Sequence, residues 1–354
     1  IGVTVSLLVT GVLAVEGEIL KLRVYAAKDL LKSGELGLAW LSWTGSSLIL
    51  CLIACLCVLI EPAAASSGIP GLIAFLNGVQ PKGGHSPITG KTTSFTSWQT
   101  MVAKTVGMVA SVPSGLCVGP EGPIIHVSAL MAHYTCVVFQ NLEQRLFPGH
   151  RFAAQASEAR DFLATGAACG ICTAFRAPIA GVMFVVEEAA SFFTTQHLEY
   201  TFLASLMAYW VTWSLTAYNT GESTVKFKQT SGSFCTYHDM LDYCFFVLVG
   251  VFGGCSGSLF NQIVEHLNHL RVHHVNHFAW RRVAEVVFVC LLTGTTAVLL
   301  PAAFACKPQL RAIMMEDSAG CLNAGDTFQI SGGTVSHTFL SQLLEQANSS
   351  NCSA

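Results

Sequence analysis

Long apolar runs are the feature that most limits what this chain can fold into. A bilayer-spanning helix needs about 20 consecutive apolar residues, and four segments reach or approach that length: 39–60, 199–217, 237–260 and 283–304. The chain also opens on an apolar run, residues 1–15, which lacks an initiating Met and the basic residues of a signal peptide. These runs predict an all-α, polytopic membrane protein whose first residues already lie inside a helix.

The charge content supports a lipid environment. Only 11% of the 354 residues are charged and 52% are hydrophobic, whereas about 25% are charged in soluble domains. So few charges cover the surface of a soluble fold poorly, which argues against a soluble enzyme. The high apolar content argues separately against a disordered chain. The formal net charge of −3 argues against nucleic acid as a partner.

Shorter apolar pieces lie between the long runs and are interrupted by Gly and Pro: 65–79, 98–118, 120–139, 162–175 and 177–193. We expect each to be too short or too broken to cross the bilayer as one simple helix. Broken helices at membrane depth occur where they are buried in protein or line a cavity, often at a transport site. The alternative is a row of amphipathic loops at the interface. The predicted architecture is therefore one of tilted and broken helices.

Two of these pieces begin with small residues and Pro directly before a helix-forming run, at Ser66–Pro70 and Gly119–Pro123. A helix start offers free N–H donors and partial positive charge, Pro is tolerated in its first turn, and Gly lets an anion approach the backbone. Two such starts aimed at one place form an anion site without a buried cation, and the Ser67 hydroxyl adds a donor. For each motif alone, a plain capped helix start is the alternative.

Acidic residues accompany the second motif and a third one. Glu121 stands at a predicted anion-binding helix start, where its carboxylate would compete with the anion when charged and withdraw when protonated. This predicts a gate that also carries a proton; an ordinary Glu that complements the helix dipole is the alternative. Glu187 and Glu188 end an apolar run that contains Gly166 and Gly170. They could pass protons inward or be solvated acids at the membrane surface.

The three motifs SSGIP, GPEGP and GAACGICTAFRAPIAGVMFVVEE together resemble, in order and spacing, the CLC family of chloride channels and proton-coupled chloride antiporters. The phrases Ile60–Pro62 and Phe75–Val79 are similar to its intracellular branch, which includes lysosomal and vacuolar members. The resemblance covers residues 1–305 as a partial transmembrane domain. It implies the first half of an inverted-repeat fold plus two further helices. It also implies a homodimer in a lysosomal, vacuolar or endosomal membrane of a eukaryote.

The resemblance further implies roles for individual residues. Glu121 is similar to the family's gating glutamate and Glu188 to the internal proton glutamate of the exchangers, where channels usually carry an apolar residue. Lys104 and Glu187 match supporting positions of the family. The residues implied in holding the anion are Ser67, Gly68, Ile69, Pro70, Gly119, Gly122 and Pro123. Chloride/proton antiport is the favoured function, and a passive voltage-gated chloride channel on the same scaffold is the alternative.

Several features depart from the family pattern. Ser66 stands in place of Gly, Gly71 in place of an acid, and Pro120 in place of Lys or Arg, which should weaken electrostatic recruitment of anions. The GxFxP motif of the second half and the cytoplasmic regulatory domains do not occur. We therefore expect a chain truncated in its second half, and an inactive, truncated subunit is a further alternative. His126, which follows the gate, is assigned a packing role.

Two polar regions complete the prediction. Four imidazoles recur every three or four residues, a spacing that suits zinc but also a solvated helix end, which is favoured; they belong to His266, His269, His273 and His277. Residues 306–354 carry three Cys and two N-x-Ser sequons, and we expect them to form a lumenal or extracellular polar loop. No catalytic triad or cofactor motif stands out, so neither enzymatic activity nor a cofactor is predicted.

Overall fold

Ten helices make up the described part of the computed structural model, which covers residues 1–81, 83–146, 156–189, 194–220, 240–275 and 278–303. They are α1 (Gly2–Lys32), α2 (Leu36–Ile60), α3 (Ile69–Leu76), α4 (Trp98–Ser111), α5 (Glu121–Leu146), α6 (Ala156–Phe175), α7 (Pro178–Phe184), α8 (Thr195–Thr220), α9 (Met240–His274) and α10 (Ala279–Ala303). Within these ranges the only β pairing is an isolated bridge between His85 and Thr92. The predicted all-α class is confirmed.

Five helices of the described ranges are long and apolar enough to cross a membrane, namely α1, α2, α5, α9 and α10. Helix α1 runs well beyond the predicted segment 1–15, because its buried stripe continues through Arg23 and Ala27. Helix α5 is continuous over Glu121–Leu146, so the interruption expected within 120–139 is wrong. Its Pro123 lies in the first turn, where a missing N–H costs no hydrogen bond.

Other predicted pieces are indeed short or broken. Segment 65–79 contains only the eight-residue α3. Segment 98–118 forms α4 and then a 3₁₀ turn, Val112–Ser114, and segment 177–193 forms the seven-residue α7 followed by a π-helical turn, Val185–Ala189. Short helices of this kind need their free backbone groups satisfied by surrounding protein or by a ligand. They support the broken-helix architecture.

The chain divides into two compact units, residues 1–225 with 289–294 and residues 226–288 with 295–354. In the first unit α5 lies closely against α6. An ideal Cβ on Gly166 would be 2.5 Å from the Cβ of Ala132, and one on Gly170 would be 2.5 Å from Ser128 Oγ. Small residues at this spacing let two membrane helices approach. The glycines of the third motif therefore serve helix packing.

The second unit contains α9 and most of α10. The guanidinium of Arg271 donates to Glu285 Oε2 at 2.9 Å, and Arg281 Nη1 donates to the carbonyl of His274 at 2.7 Å. These contacts join the end of α9 to the start of α10. The predicted polar loop 306–354 lies outside the described residues.

Candidate functional site

The starts of α3 and α5, which carry the first two motifs, are in contact. An ideal Cβ on Gly122 would lie 2.7 Å from the Cβ of Ser67, 3.3 Å from its Cα and 3.8 Å from Cδ1 of Ile69. Real Cβ atoms essentially never come as close as 2.7 Å to another atom. Only Gly at position 122 therefore lets the first turn of α5 reach the Ser67 turn, and the fold brings the two predicted anion-binding segments together.

Ser67 belongs to a tight turn that ends at the N-cap of α3. Ser66 has a φ of 63° and Gly68, the N-cap, a φ of 83°, so both lie in the left-handed region. The Gly68 N–H donates to Ser66 Oγ at 3.4 Å, and the Ile69 N–H donates to Ser67 Oγ at 3.3 Å. Because the Ser67 oxygen accepts, its hydroxyl hydrogen is the group that can donate to an anion. Pro70, in the first turn of α3, removes no needed donor.

Glu121 is the first residue of α5, and its side chain is exposed. The carboxylate folds back over Gly119, since a Cβ on that glycine would overlap Glu121 Oε2. The first turn closes where the Ile124 N–H donates to the carbonyl of Pro120 at 2.9 Å. A carboxylate here is stabilised by the positive end of the helix dipole. Glu121 and Ser67 thus lie on contacting segments.

A chain of buried polar groups lies next to the Ser67 turn. Lys104 Nζ is 3.0 Å from His126 Nδ1, and His126 Nε2 is 3.2 Å from the carbonyl oxygen of Phe95. Because an ammonium only donates, Nδ1 is the acceptor and Nε2–H donates to Phe95. A Cβ on Gly68 would lie 2.6 Å from His126 Nδ1 and 2.7 Å from Lys104 Nζ. His126 therefore combines its expected packing role with hydrogen bonds that hold Lys104 against the turn.

Phe95 explains the small residue at position 71. Its ring stacks on that of His126, with centroids 3.9 Å apart and planes 14° apart. A Cβ on Gly71 would lie 2.5 Å from Phe95 Cε2, so the ring fills the space of any larger side chain. The nearby buried Glu61 accepts from Thr100 Oγ1 at 2.9 Å. Among the described residues no carboxylate forms an ion pair with Lys104. A buried cation therefore lies beside the predicted anion site, and the expectation of a site without one is wrong.

Glu187 and Glu188 lie in the π-helical turn after α7, and both side chains are exposed. This turn contacts the far end of α3, where Asn77 Nδ2 donates to the carbonyl of Ala189 at 3.4 Å. An eight-residue helix is about 12 Å long at 1.5 Å per residue. The two acids and the Ser67 turn therefore lie at opposite ends of α3, so the structure does not gather all predicted residues into one cluster.

Two buried charged residues of α1 were missed by the sequence analysis. Glu16 is 5% exposed and Arg23 is 8% exposed. Arg23 donates to Ser46 Oγ at 2.9 Å, to the carbonyl of Trp43 at 3.1 Å and to that of Pro113, and its guanidinium lies 4.0 Å over the Trp43 ring. The sequence contains a signal for both residues, namely their spacing: they continue the helical stripe of buried positions beyond the predicted run 1–15.

The zinc alternative receives no support from the side chains that the structure describes. Within those ranges no three His, Cys, Asp or Glu side chains are grouped as a metal ion would require. His277, one of the four histidines of that hypothesis, lies outside the described residues.

Comparison with known proteins identifies the class to which this fold belongs. A family model described as voltage gated chloride channel matches residues 49–342. Chloride channel protein C of Dictyostelium discoideum is 30% identical over 81% of this chain and 37% of its own length. The H(+)/Cl(-) exchange transporter 7 of Homo sapiens is 31% identical over 78% of this chain and 34% of its own. The chain belongs to the voltage gated chloride channel family, and it spans about a third of the length of these relatives.

A solved structure has the same fold. The crystal structure of a slow cyanobacterial Cl-/H+ antiporter superposes with a TM-score of 0.59 at 21% identity, covering 89% of this chain and 68% of that one. The predicted resemblance to the CLC family and the helical membrane architecture are confirmed.

Proposed function

We propose that this chain forms a chloride-binding part of a chloride/proton antiporter in which Glu121 is the gate. The contact between Gly122 and Ser67 carries the proposal, because it places the Ser67 hydroxyl beside the start of α5. The helix dipole and the buried Lys104 ammonium both favour an anion there. The human relative is named an H(+)/Cl(-) exchange transporter, which supports the same function.

The free donors of the site define how chloride would be held. In the first turn of α5 the Ile124 N–H already donates to Pro120, and Pro123 has no N–H. The N–H groups of Glu121 and Gly122 therefore remain for an anion, together with the Ser67 hydroxyl. A charged Glu121 carboxylate competes for this position. Protonation removes its charge, so the side chain withdraws and chloride takes its place.

Glu188 is proposed as the acid that exchanges protons with the other side. Its turn contacts the end of α3 that lies away from the Ser67 turn. In this proposal the proton pathway and the chloride pathway overlap at Glu121, and they separate between Glu121 and Glu188. Its neighbour Glu187, whose side chain is also exposed, is proposed to have a structural role and to carry no proton.

The proposal is tested with the protein reconstituted in liposomes under opposed chloride and pH gradients. We expect that in wild type the chloride gradient drives protons in the opposite direction, against their own gradient. We expect E188Q to transport chloride without moving protons. E187Q is the matched control, since it changes an exposed acid of the same turn and should keep coupling. E121Q should make chloride flux independent of pH. A reversal potential of E188Q that still shifts with the pH gradient would contradict the role of Glu188.

A passive chloride channel is the second candidate, because the Dictyostelium relative is named a chloride channel protein. The same liposomes distinguish the two functions. If wild type transports chloride and its reversal potential does not change with the pH gradient, the result would favour the channel.

We also propose that the chain pairs with a second copy through α7 and α8. Ile179, Met183, Leu198 and Phe202 lie together there and are 38–67% exposed, an apolar surface that a partner or lipid must cover. Light scattering in detergent should give the mass of a dimer, and a monomer at micromolar concentration would contradict the pairing.

An intracellular membrane is the proposed location. Imaging of the tagged protein beside lysosomal and vacuolar markers tests this proposal.

A further inference from the structure

Arg23 is a buried cation of a membrane helix, and its hydrogen bonds go to neutral groups. It lies within the candidate membrane span of α1 and forms no ion pair among the described residues. Its Nε donates to Ser46 Oγ at 2.9 Å, and its Nη2 donates to the carbonyl of Trp43 and to Ser47 Oγ. Its Nη1 donates to the carbonyl of Pro113. Ionisable residues within membrane spans are costly to bury and mark functional positions.

The bond from Nη1 holds the 3₁₀ turn Val112–Ser114, which follows α4. The next carbonyl of this turn, that of Ser114, accepts from Ser47 Oγ at 2.7 Å. Ser47 is 3% exposed and Ser114 is 1% exposed, so water does not compete for this bond. Helices α1 and α2 therefore hold two consecutive carbonyls of the turn.

The ring of Trp43 fixes the residue that comes next. The Arg23 guanidinium lies 4.0 Å over this ring, which is a cation–π contact. Gly115 has a φ of 84°, and a Cβ there would lie 2.9 Å from Cζ2 of the ring. The chain therefore leaves the 3₁₀ turn closely against Trp43, at a position where only Gly fits.

This turn is joined to the start of α5 in two ways. Along the chain, only the six residues 115–120 separate it from Glu121. Across space, Val112 packs against the buried cluster that contains Ile124, whose N–H closes the first turn of α5. A shift of the 3₁₀ turn is therefore passed to the first N–H groups of α5.

We propose that Arg23 is a positioning residue of the anion site. By holding the turn Val112–Ser114, it sets where α5 begins and how the first N–H groups of α5 face the Ser67 hydroxyl. Its contribution is geometric, because the planar guanidinium donates to two elements at once in a fixed fork, which a flexible ammonium does not. The inference rests on the proposed chloride site at Ser67 and Glu121.

Isothermal titration of the full chain in detergent with chloride tests the positioning. R23K and R23Q both break the fork, and only R23Q removes the charge. We expect both to bind chloride about tenfold more weakly, as when one hydrogen bond to an anion is lost. S47A should also weaken binding, because it removes the bond to the Ser114 carbonyl.

S6A is the matched control for S47A. Ser6 is also a buried serine, and its Oγ lies 2.7 Å from Thr212 Oγ1 on α8 instead of on the 3₁₀ turn. S6A should therefore keep the chloride affinity of wild type. Wild-type affinity in R23K would overturn the inference, since charge would then suffice, and so would equal losses of affinity in S47A and S6A.

Hydrogen exchange followed by mass spectrometry reads the position of the segment without chloride. The amides of residues 112–124 should exchange faster in R23K and S47A than in wild type, and at the wild-type rate in S6A. If R23K fails to fold, the comparison of S47A with S6A decides. A wild type that binds no chloride would refute the proposed function, while the exchange would still report on Arg23. Unchanged exchange of this segment in R23K and S47A would overturn the inference.

Discussion

The substitution G68A tests whether the Ser67 turn is held by the backbone alone or also by the buried Lys104 and His126. Gly68 has a φ of 83°, and left-handed backbone costs a residue with a Cβ about 1–2 kcal/mol. The new Cβ would also lie 2.6 Å from His126 Nδ1 and 2.8 Å from His126 Cβ. That ring is stacked on Phe95 and cannot move freely, so overpacking should add about 1–3 kcal/mol.

Gly90 offers a control that separates the two contributions. Its φ is 66°, but a Cβ there meets no atom within 4 Å. We expect G90A to lower the free energy of unfolding by about 1–2 kcal/mol and G68A by about 2–5 kcal/mol. Unfolding followed by tryptophan fluorescence in detergent measures both.

The packing contribution should also appear in chloride binding. G68A should displace Lys104 and the Ser67 turn, and its overpacking costs about 1–3 kcal/mol more than G90A. If this extra free energy is lost from chloride binding, the affinity falls about 5- to 150-fold, since each 1.4 kcal/mol is a factor of ten. Isothermal titration with chloride measures this. Equal destabilisation by G68A and G90A, with unchanged chloride affinity, would refute the reasoning.

Two further substitutions probe the buried polar groups. R23K keeps the charge but loses the planar guanidinium that donates to Trp43 and Pro113, so unfolding should become easier by about 2–4 kcal/mol; an unchanged thermal midpoint would contradict this. H126F keeps the stacking on Phe95 but leaves Lys104 without its acceptor, which should cost about 1–3 kcal/mol. H133F, on the same helix, is its control, and equal effects of the two substitutions would argue against the Lys104–His126 bond.

Local features of the sequence predicted much of the fold. Apolar runs of bilayer length predicted membrane helices, and Gly or Pro before such runs predicted the starts of α3 and α5, because these signals act within a few residues. The same local reasoning expected 120–139 to be interrupted. It was wrong there because Gly122 and Pro123 lie in the first turn, where neither breaks a helix.

Residues whose environment comes from other helices were harder to predict. His126 was assigned to packing alone, since only the fold places Lys104 Nζ 3.0 Å from its ring. Glu16 was not singled out, because the apolar run was expected to end at residue 15, whereas the buried stripe of α1 continues beyond it. The sequence placed Ser67 and Glu121 at two helix starts aimed at one place, but the motifs do not state that Gly122 contacts Ser67.

The sequence by itself determined that this chain lies in a membrane, where α3 and α5 begin, and which family it resembles. Those properties follow from apolar content, helix-start chemistry and motif order, all of which are local properties of the sequence. Tertiary structure decided how closely Gly122 approaches the Ser67 turn, that Lys104 lies beside Gly68 with no ion-paired carboxylate among the described residues, and that Glu16 is buried. Such contacts join residues far apart in the chain, and their energies depend on distances and burial that exist only once the helices have packed.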